Sequence, residues 1–157
     1  MGLANKITKS VEEKIDYKIY RKFLTDVDID GVVLKSLNVS RTDDSYDPNV
    51  SISIKYAANE YKNQNDKLEV LCRFDVKAIT EIDNFEKKVK KKLFGIKFDF
   101  CIQYSISSLN TFSHEYIEFF IYKNVPINIW PYARELVSSV TTRMGYQPLV
   151  LKPHKSV

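Results

Sequence analysis

The stretch NIWPYARELVSSVTTRMGYQPLVL, from Asn128 to Leu151, carries a proline, an apolar stripe and a glycine in the order expected of one helix. Pro131 suits the first helical position, where a missing backbone N–H leaves no helical bond unmade. Gly145 suits the position just after the C-cap, and Arg143 in the last turn complements the helix dipole. The stretch therefore predicts a helix that begins at Pro131 and ends before Gly145. Its apolar stripe comprises Ala133, Leu136, Val137, Val140 and Met144.

A second helical pattern lies immediately upstream. Ser113 is a suitable N-cap residue, Glu115 falls in the first turn, and Pro126 closes or kinks the segment. The apolar residues at helical spacing are Ile117, Phe120 and Ile121. The end of the chain is thus predicted to be a long, proline-interrupted helix.

The middle of the chain alternates between apolar and polar residues, which is typical of half-buried strands. The clearest run is FGIKFDFCIQYSI, Phe94 to Ile106. Other runs begin at Val27, Val50 and Leu68. Gly31 predicts a bend or bulge in the first run, and ANEYKNQND, Ala58 to Asp66, predicts a break after the second. Short breaks without a crossover helix predict an antiparallel meander or a close variant. The expected fold class is α+β, with the C-terminal helix packed on a four-stranded antiparallel sheet.

The first 22 residues differ from this pattern. The segment from Lys6 to Lys22 suits a short amphipathic helix or, equally, a frayed N-terminal extension. Its apolar residues at four-residue steps are Ile7, Val11, Ile15 and Ile19. We expect an N-terminal extension over residues 1–22 and a single domain over residues 23–157, a length that one core can stabilise.

No arrangement of side chains in the sequence predicts catalysis. The separations among Cys72, Cys101, His114 and His154 match no zinc-ligand spacing, and no glycine-rich phosphate loop is present. A nucleophilic pair of Cys101 and His114 would need surroundings that lower the pKa of the thiol. Both cysteines fall in apolar strands and are expected to be reduced core residues. We therefore expect a binding protein, with no enzyme activity, no metal and no cofactor.

The formal net charge is +4, and its densest cluster is KKVKKK, Lys87 to Lys92. We expect this run to be a solvated loop. Because no reading helix or aromatic-basic motif accompanies it, binding to nucleic acid is not expected. The N-terminal residues contain no apolar core of signal-peptide length, and no window approaches the roughly 18 apolar residues of a membrane span. These features predict a cytoplasmic protein without membrane insertion.

PINIWPYARELVSSVTTRMGYQPLVLKP, Pro126 to Pro153, and SYDPNVSISI, Ser45 to Ile54, form a more specific pattern. The first joins Pro-Tyr-Ala-Arg-Glu to a helix and then to a proline followed by alternating leucines. The second places an aromatic residue and a proline before an alternating strand. From Asp30 to Pro153 the chain resembles the SecB family of export chaperones. The resemblance implies a four-stranded antiparallel sheet with a long helix, dimers paired through strands, and a dimer of dimers joined through the long helix.

The resemblance also implies a passive chaperone that holds unfolded polypeptides in long apolar grooves without ATP. With 10 Tyr and 9 Phe, the chain has the aromatic content that such grooves need. By the match to the family's crossover between strands one and two, Tyr46, Pro48 and Val50 line a groove wall. Leu149 and Leu151 are our additions to this wall. Tyr46 alternatively suits a turn aromatic that caps the core.

Six further residues are expected to anchor the long helix or to form oligomer contacts. Trp130 and Tyr132 at the helix start are expected to hold the helix on the sheet, and Arg134 and Glu135 to form ion pairs within or between subunits. Ile117 and Phe120 are expected to lie either in the core or between dimers.

Family members are usually acidic, use carboxylates on the sheet to bind the motor protein SecA, and end in a second helix and a tail that also contact it. Asn38 and Asp99 occupy the corresponding sheet positions. Because this chain is basic, has an asparagine at position 38 and stops at Val157, we expect a departure from the usual SecA contact. Two functions stay open. One is a holdase for export or for one dedicated client, such as an antitoxin. The other is a non-chaperone interaction module whose Lys87 to Lys92 run binds an acidic partner.

Overall fold

A computed structural model describes residues 9–42 and 50–155, and its centre is a four-stranded antiparallel sheet. The strand order is β1-β4-β3-β2. Strands β2, β3 and β4 are joined by two consecutive hairpins, and β1 pairs with β4. Because β1 and β2 are the two edge strands, the chain crosses from one edge of the sheet to the other between them. The predicted four-stranded antiparallel sheet is confirmed, as a variant of the meander. The strands are β1 (Val27–Arg41), β2 (Val50–Gln64), β3 (Lys67–Asn84) and β4 (Lys87–Ile106).

The alternation predicted for Phe94 to Ile106 is confirmed. The even-numbered residues of this run are all buried on the side of the sheet that faces the helices. Cys101 points to the opposite side yet is also buried, because it lies between Val33 of β1 and Leu71 of β3 in the register of the sheet. Both cysteines are therefore core residues, on opposite sides of the sheet.

Three of the four register shifts in the sheet lie in the edge strands β1 and β2, where they interrupt the alternation, and the fourth lies between Ala78 and Ile79 of β3. Strand β1 shifts register at Gly31, as predicted, and again between Leu34 and Ser36. Strand β2 shifts between Ala57 and Glu60 and then continues to Gln64. The break predicted over residues 58–66 is therefore wrong, since a bulge adds a residue to one strand and moves the later side chains to the other face.

The turn between β2 and β3 is only two residues long. Asn65 and Asp66 have φ angles of 51° and 59°, the left-handed conformation that two-residue hairpins require and that Asn and Asp tolerate well. The Asp66 side chain accepts a hydrogen bond from the backbone N–H of Leu109 at 3.0 Å. The hairpin is thereby tied to the segment that leads into the helices.

The run from Lys87 to Lys92 forms the first part of β4, so the loop predicted there is wrong. These lysines pair in register with residues 79–84 of β3, and Phe85 and Glu86 form the turn. We call residues 81–92 the β3–β4 arm. Cross-strand backbone bonds hold it in extended form although most of its side chains are exposed.

The three longest helices of the described chain are α1 (Tyr17–Thr25), α2 (His114–Lys123) and α3 (Val125–Arg143), and a short 3-10 helix spans Leu109–Thr111. Pro131 lies inside α3, so the prediction that it begins the helix is wrong. Pro126 occupies the first turn instead. An interior proline costs about 3 kcal/mol. Burial of the α3 face that contacts the sheet outweighs this, at about 1.5–3 kcal/mol for each large apolar side chain. The fully buried residues of that face are Val125, Ile129, Ala133 and Val137.

The N-terminal pattern forms two helical pieces in the described chain. Residues 9–12 are helical, and α1 starts after Asp16, whose carboxylate accepts a hydrogen bond from the N–H of Lys18 at 2.8 Å. Phe23 of α1 is fully buried, and its ring lies 4.9 Å from that of Phe112 and 5.4 Å from that of Phe120. Helix α1 therefore packs into the same core as α2.

Gly145 ends α3 as the sequence predicts. Its φ angle is +85°, and the N–H of Tyr146 bonds to the carbonyl of Thr141 at 3.1 Å while the N–H of Gly145 bonds to that of Thr142 at 3.0 Å. This pair of bonds is the Schellman motif. Arg41 of β1 adds a bond from its guanidinium to the Met144 carbonyl at 2.7 Å.

We expect Gly145→Ala to lower the free energy of unfolding by about 1–2 kcal/mol, because an L side chain is strained at this φ. Urea denaturation followed by circular dichroism measures the change. Gly31→Ala is the control, since an added Cβ there meets only the Gln103 side chain at 3.7 Å. Its expected effect is within about 0.5 kcal/mol. Equal losses for the two variants would contradict the assignment of the strain to the helix end.

Candidate functional site

Strand β1 carries an uncovered row of apolar side chains. Helix α3 packs over β3 and β4, and β1 is an edge strand to which, in the described chain, only β4 is paired. Val27 and Val32 on the helix-facing side of β1 pack partly against the core, whereas four other apolar residues of that side are left 40–48% exposed. Exposed apolar edge strands are, as a class, favourable places for another chain to pair. The β1 row comprises Ile29, Leu34, Leu37 and Val39.

Trp130 joins α3, the sheet and the end of the chain. Its ring centroid lies 5.7 Å from that of Phe74 in β3 and 6.3 Å from that of Tyr56 in β2. Its indole N–H donates to the carbonyl of Lys152 at 2.7 Å, and the His154 ring lies 5.2 Å away. The expectation that Trp130 anchors the helix has direct contacts to support it.

The residues after α3 fold back along the helix, and we call residues 146–155 the C-terminal segment. The N–H of Leu149 donates to the hydroxyl of Thr141 at 2.9 Å. Further along the segment, the carbonyl of Lys152 accepts the hydrogen bond from Trp130, which precedes Thr141 by eleven residues in α3. Leu151 is buried, whereas Val150 is 61% exposed. The segment begins beside Phe94 of β4, where the ring of Tyr146 packs, and reaches the β2 side of α3 at Trp130. Along it, alternate side chains face the core and solvent.

The residues predicted for a groove wall lie on different parts of this surface. Tyr46 and Pro48 lie outside the described residues. Val50 begins β2 and is half-buried opposite Thr80. In the C-terminal segment, Leu149 is half-buried and Leu151 contributes almost no surface.

The other residues predicted on the helices divide between core and surface. Ile117 and Phe120 of α2 are buried, and the Phe120 ring lies 5.0 Å from that of Tyr104. Tyr132 is exposed at 6.4 Å from the ring of Phe100, which is the register partner of Leu34 in the β1 row. Arg134 is half-buried and Glu135 is exposed on α3.

Asn38 and Asp99 lie on the side of the sheet that faces away from the helices. Asn38 is paired in register with Lys97. The Asp99 carboxylate lies 3.7 Å from the Arg73 guanidinium, which is also 3.0 Å from Glu60. These exposed pairs contribute little to stability, and they leave this side of the sheet mixed in charge.

The histidine and cysteine side chains considered as candidates for catalysis have surroundings that do not suit a nucleophilic pair. His114 lies 3.0 Å from the Tyr61 hydroxyl and 2.8 Å from the Glu118 carboxylate. Burial raises the pKa of the Cys101 thiol, the candidate nucleophile, and raises that of the Cys72 thiol to about 12, so both thiols stay protonated at neutral pH. Within residues 9–42 and 50–155, no three His, Cys, Asp or Glu side chains are placed to hold a metal ion. None of the helices described is long and apolar enough to span a membrane.

The family model for "Preprotein translocase subunit SecB" matches residues 11–155. The chain belongs to the SecB family. It is 24% identical over 143 residues to "Protein-export protein SecB" of Wolbachia sp. subsp. Drosophila simulans (strain wRi), with 87% of this chain and 82% of the relative covered. The protein of the same description from Anaplasma phagocytophilum (strain HZ) is 24% identical over 104 residues, covering 66% and 65%.

A solved structure shows the same fold. It is the Mycobacterium tuberculosis Rv1957 SecB-like chaperone in complex with a ChAD peptide from the Rv1956 HigA1 antitoxin. The TM-score is 0.73 at 12% sequence identity, with 88% of this chain and 97% of that chain covered. The predicted SecB-like fold is confirmed, and the chain is a SecB-family chaperone.

Sequence reasoning did not identify two features of the surface. The apolar residues of β1 are visible in the sequence, but alternation does not show that no helix covers them. Val89 lies within the lysine run that the sequence predicts to be a loop, and Phe85 lies just before this run. The signal that could have located the arm is the pairing of Glu81 and Asp83 with Lys90 and Lys88, since opposite charges favour facing positions in a hairpin.

Proposed function

We propose that this SecB-family chaperone holds unfolded polypeptide segments on apolar surface beside α3, without ATP. The observation that carries the proposal is the exposed apolar surface on the β2 side of α3, where Ile52 and Val150 are 38% and 61% exposed. Tyr56 and Trp130 lie beneath this side as an aromatic floor. A surface of this kind accepts many sequences, because apolar contact has no directional requirement.

The proposed groove lies between β2 and the C-terminal segment. Tyr46 and Pro48 belong to the connection that leads into β2, and the resemblance to the family places them in the wall. Val50 and Leu149 are half-buried and would lose further surface to a bound segment. Leu151 supports the wall from within the core, since its side chain is buried.

A chaperone for export and a chaperone for one dedicated client differ in which polypeptide they bind, whereas the way of binding is the same. The family description and the relatives favour protein export. The M. tuberculosis chaperone is in complex with an antitoxin peptide, which favours a dedicated polypeptide client as the second candidate. A cytoplasmic location is part of the proposal, because an export chaperone binds its clients before they cross the membrane.

Self-association through β1 is also part of the proposal. The β1 row and the open edge of β1 are self-complementary when two copies meet antiparallel about a two-fold axis. Tyr132 lies beside this row and would be covered with it. We propose a weaker SecA contact than that of acidic family members, because Asn38 is uncharged and Asp99 already faces Arg73.

Suppression of aggregation tests the holding activity. We expect the protein to slow aggregation of a urea-unfolded client on dilution, with no nucleotide present. Ile52→Asp and Tyr46→Asp are each expected to weaken holding at least about tenfold, because a bound apolar segment would bury an unpaired charge.

Ser51→Asp is the matched control, since Ser51 is exposed on the opposite side of the same strand. It adds the same charge and should leave holding unchanged. A protein that does not delay aggregation, or an equal loss for Ile52→Asp and Ser51→Asp, would exclude the proposed groove.

A further inference from the structure

The side of the sheet that faces away from the helices has a region in which lysines outnumber carboxylates. Two neighbouring rows of side chains cross all four strands there, next to the base of the β3–β4 arm. In the register of the sheet, the first row is Ser40, Gly95, Lys77 and Ser53, and the second is Asn38, Lys97, Asp75 and Lys55. The two rows thus hold three lysines and a single acidic residue.

A fourth lysine lies over the glycine of the first row. A Cβ atom added to Gly95 would meet Nζ and Cε of Lys92, each at 2.8 Å, and Oγ of Ser40 at 3.2 Å. The Lys92 side chain therefore lies across the backbone of Gly95, which is buried although it has no side chain of its own. Glycine in a strand permits such a close approach. The Lys92 ammonium group is thereby held beside Ser40, in the row that continues to Lys77.

Asp75 offsets only part of this positive charge. Its carboxylate lies 3.5 Å from Nζ of Lys77, and its register partners on the two adjacent strands are Lys55 and Lys97. Four lysines and one aspartate leave a surplus of three positive charges. We call Lys55, Lys77, Lys92 and Lys97 the lysine patch. Three of these lysines are exposed and Lys77 is half-buried, so the surplus charge is accessible to a partner.

The surface on either side of the lysine patch is not positively charged. In the next row of the sheet, the Arg73 guanidinium lies between the carboxylates of Glu60 and Asp99, at 3.0 and 3.7 Å. Along the arm, each of two lysines faces a carboxylate across the hairpin; the pairs are Lys90 with Glu81 and Lys88 with Asp83. The patch between them spans four strands and is therefore about 15 Å wide.

We propose that the lysine patch is a docking site for a partner protein that presents a cluster of carboxylates. The ammonium groups complement the negative charge of such a cluster. The hydroxyls of Ser40 and Ser53 and the amide of Asn38 lie in the same two rows and can donate hydrogen bonds to carboxylate oxygens. The proposed client groove uses the opposite side of the sheet, so a client and the acidic partner can be bound at the same time.

An acidic polypeptide fits this surface better than a nucleic acid does. The two rows contain no aromatic residue, so bases would have no ring on which to stack. A nucleic acid carries its phosphates in a long continuous series, and beyond the patch that series would meet the carboxylates of Glu60 and Asp99. A short cluster of carboxylates can lie within the patch alone.

Two short fluorescent peptides test the inference, one of alternating glutamate and glycine and one with glutamine in place of every glutamate. By fluorescence anisotropy at low salt, we expect the full-length protein to bind the glutamate peptide at least about tenfold more tightly. The preference should fall as salt rises to about 0.5 M, because salt screens exposed charges. Equal binding of the two peptides would overturn the proposal, as would tighter binding of a single-stranded RNA with the same number of charges as the glutamate peptide.

Two double variants with the same change in net charge locate the site. Lys92→Gln with Lys97→Gln should weaken binding of the glutamate peptide about tenfold, whereas Lys88→Gln with Lys90→Gln should change it less than about threefold. Both double variants should slow aggregation of an unfolded client as the unchanged protein does, because the groove is on the other side of the sheet. Equal weakening by the two double variants, or a loss of holding in the first alone, would overturn the proposed site.

Gly95→Ala tests the placement of Lys92 without a change in charge. The added methyl group displaces the end of a flexible side chain, so the fold is retained. We expect binding of the glutamate peptide to weaken about threefold in the unchanged protein and not to weaken further in a Lys92→Gln background. Equal losses with and without Lys92 would overturn the assignment of Lys92 to the site.

Discussion

Replacing Trp130 with alanine is expected to lower the free energy of unfolding by about 3 kcal/mol. The indole ring contacts Phe74 of β3 and Tyr56 of β2, and its N–H donates to the carbonyl of Lys152. Loss of the ring leaves a cavity between α3 and the sheet and frees the C-terminal segment at the same time. Urea denaturation followed by circular dichroism measures this change.

Two variants separate the contributions of ring and hydrogen bond. Trp130→Phe keeps an aromatic ring and loses the bond to Lys152, so we expect a loss of about 1 kcal/mol from the bond beyond any repacking. Tyr132→Ala, two positions along α3, removes an exposed ring and should cost less than about 1 kcal/mol. A Trp130→Ala loss no greater than that of Tyr132→Ala would show that Trp130 does not anchor the helix.

The C-terminal stretch shows how far local signals reach. Gly145 could be placed from the sequence because a left-handed helix end is a local requirement that glycine meets. Pro131 could not, because an interior proline is tolerated only when packing outweighs its cost. That packing comes from β3 and β4, which are distant in sequence. Stabilisation by packing against distant strands cannot be predicted from the residues around Pro131.

Local sequence patterns also predicted only part of the candidate functional site. Alternation located all four strands and separated the two faces of β4 from Phe94 to Ile106, but it missed the second half of β2 and the first part of β4. It did not show that the helix-facing side of β1 stays uncovered, since exposure depends on where α3 crosses the sheet. A lysine run on its own is typical of a solvated loop, whereas in the arm Lys90 and Lys88 face Glu81 and Asp83 across the hairpin, which favours the strand.

The apolar surface left by α3 divides into two parts with different consequences. The part on the β2 side lies beside the C-terminal segment and is irregular, which suits clients of varied sequence. The part on β1 is an edge strand whose outer side pairs with no other strand of the described chain, which suits one repeated partner. We therefore assign client holding to the first and self-association to the second.

Leu37→Asp is expected to raise the dissociation constant of a dimer at least about a hundredfold. A two-fold interface contains each residue twice, so a loss of about 1.5 kcal/mol for each side chain is doubled. That total corresponds to about two powers of ten in the dissociation constant. Analytical ultracentrifugation over a range of protein concentrations measures the change, and circular dichroism shows whether the variant is folded.

Val33→Asp is the matched control, because Val33 and Leu37 lie on the same strand with equal exposure of 42%. Val33 points to the side of the sheet that faces away from the helices, beside Cys101. If the interface covers the helix-facing β1 row, only Leu37→Asp weakens the dimer, and client holding per subunit persists in the resulting monomer. A dimer that survives Leu37→Asp, or holding lost in proportion to dissociation, would contradict the separation of the two surfaces.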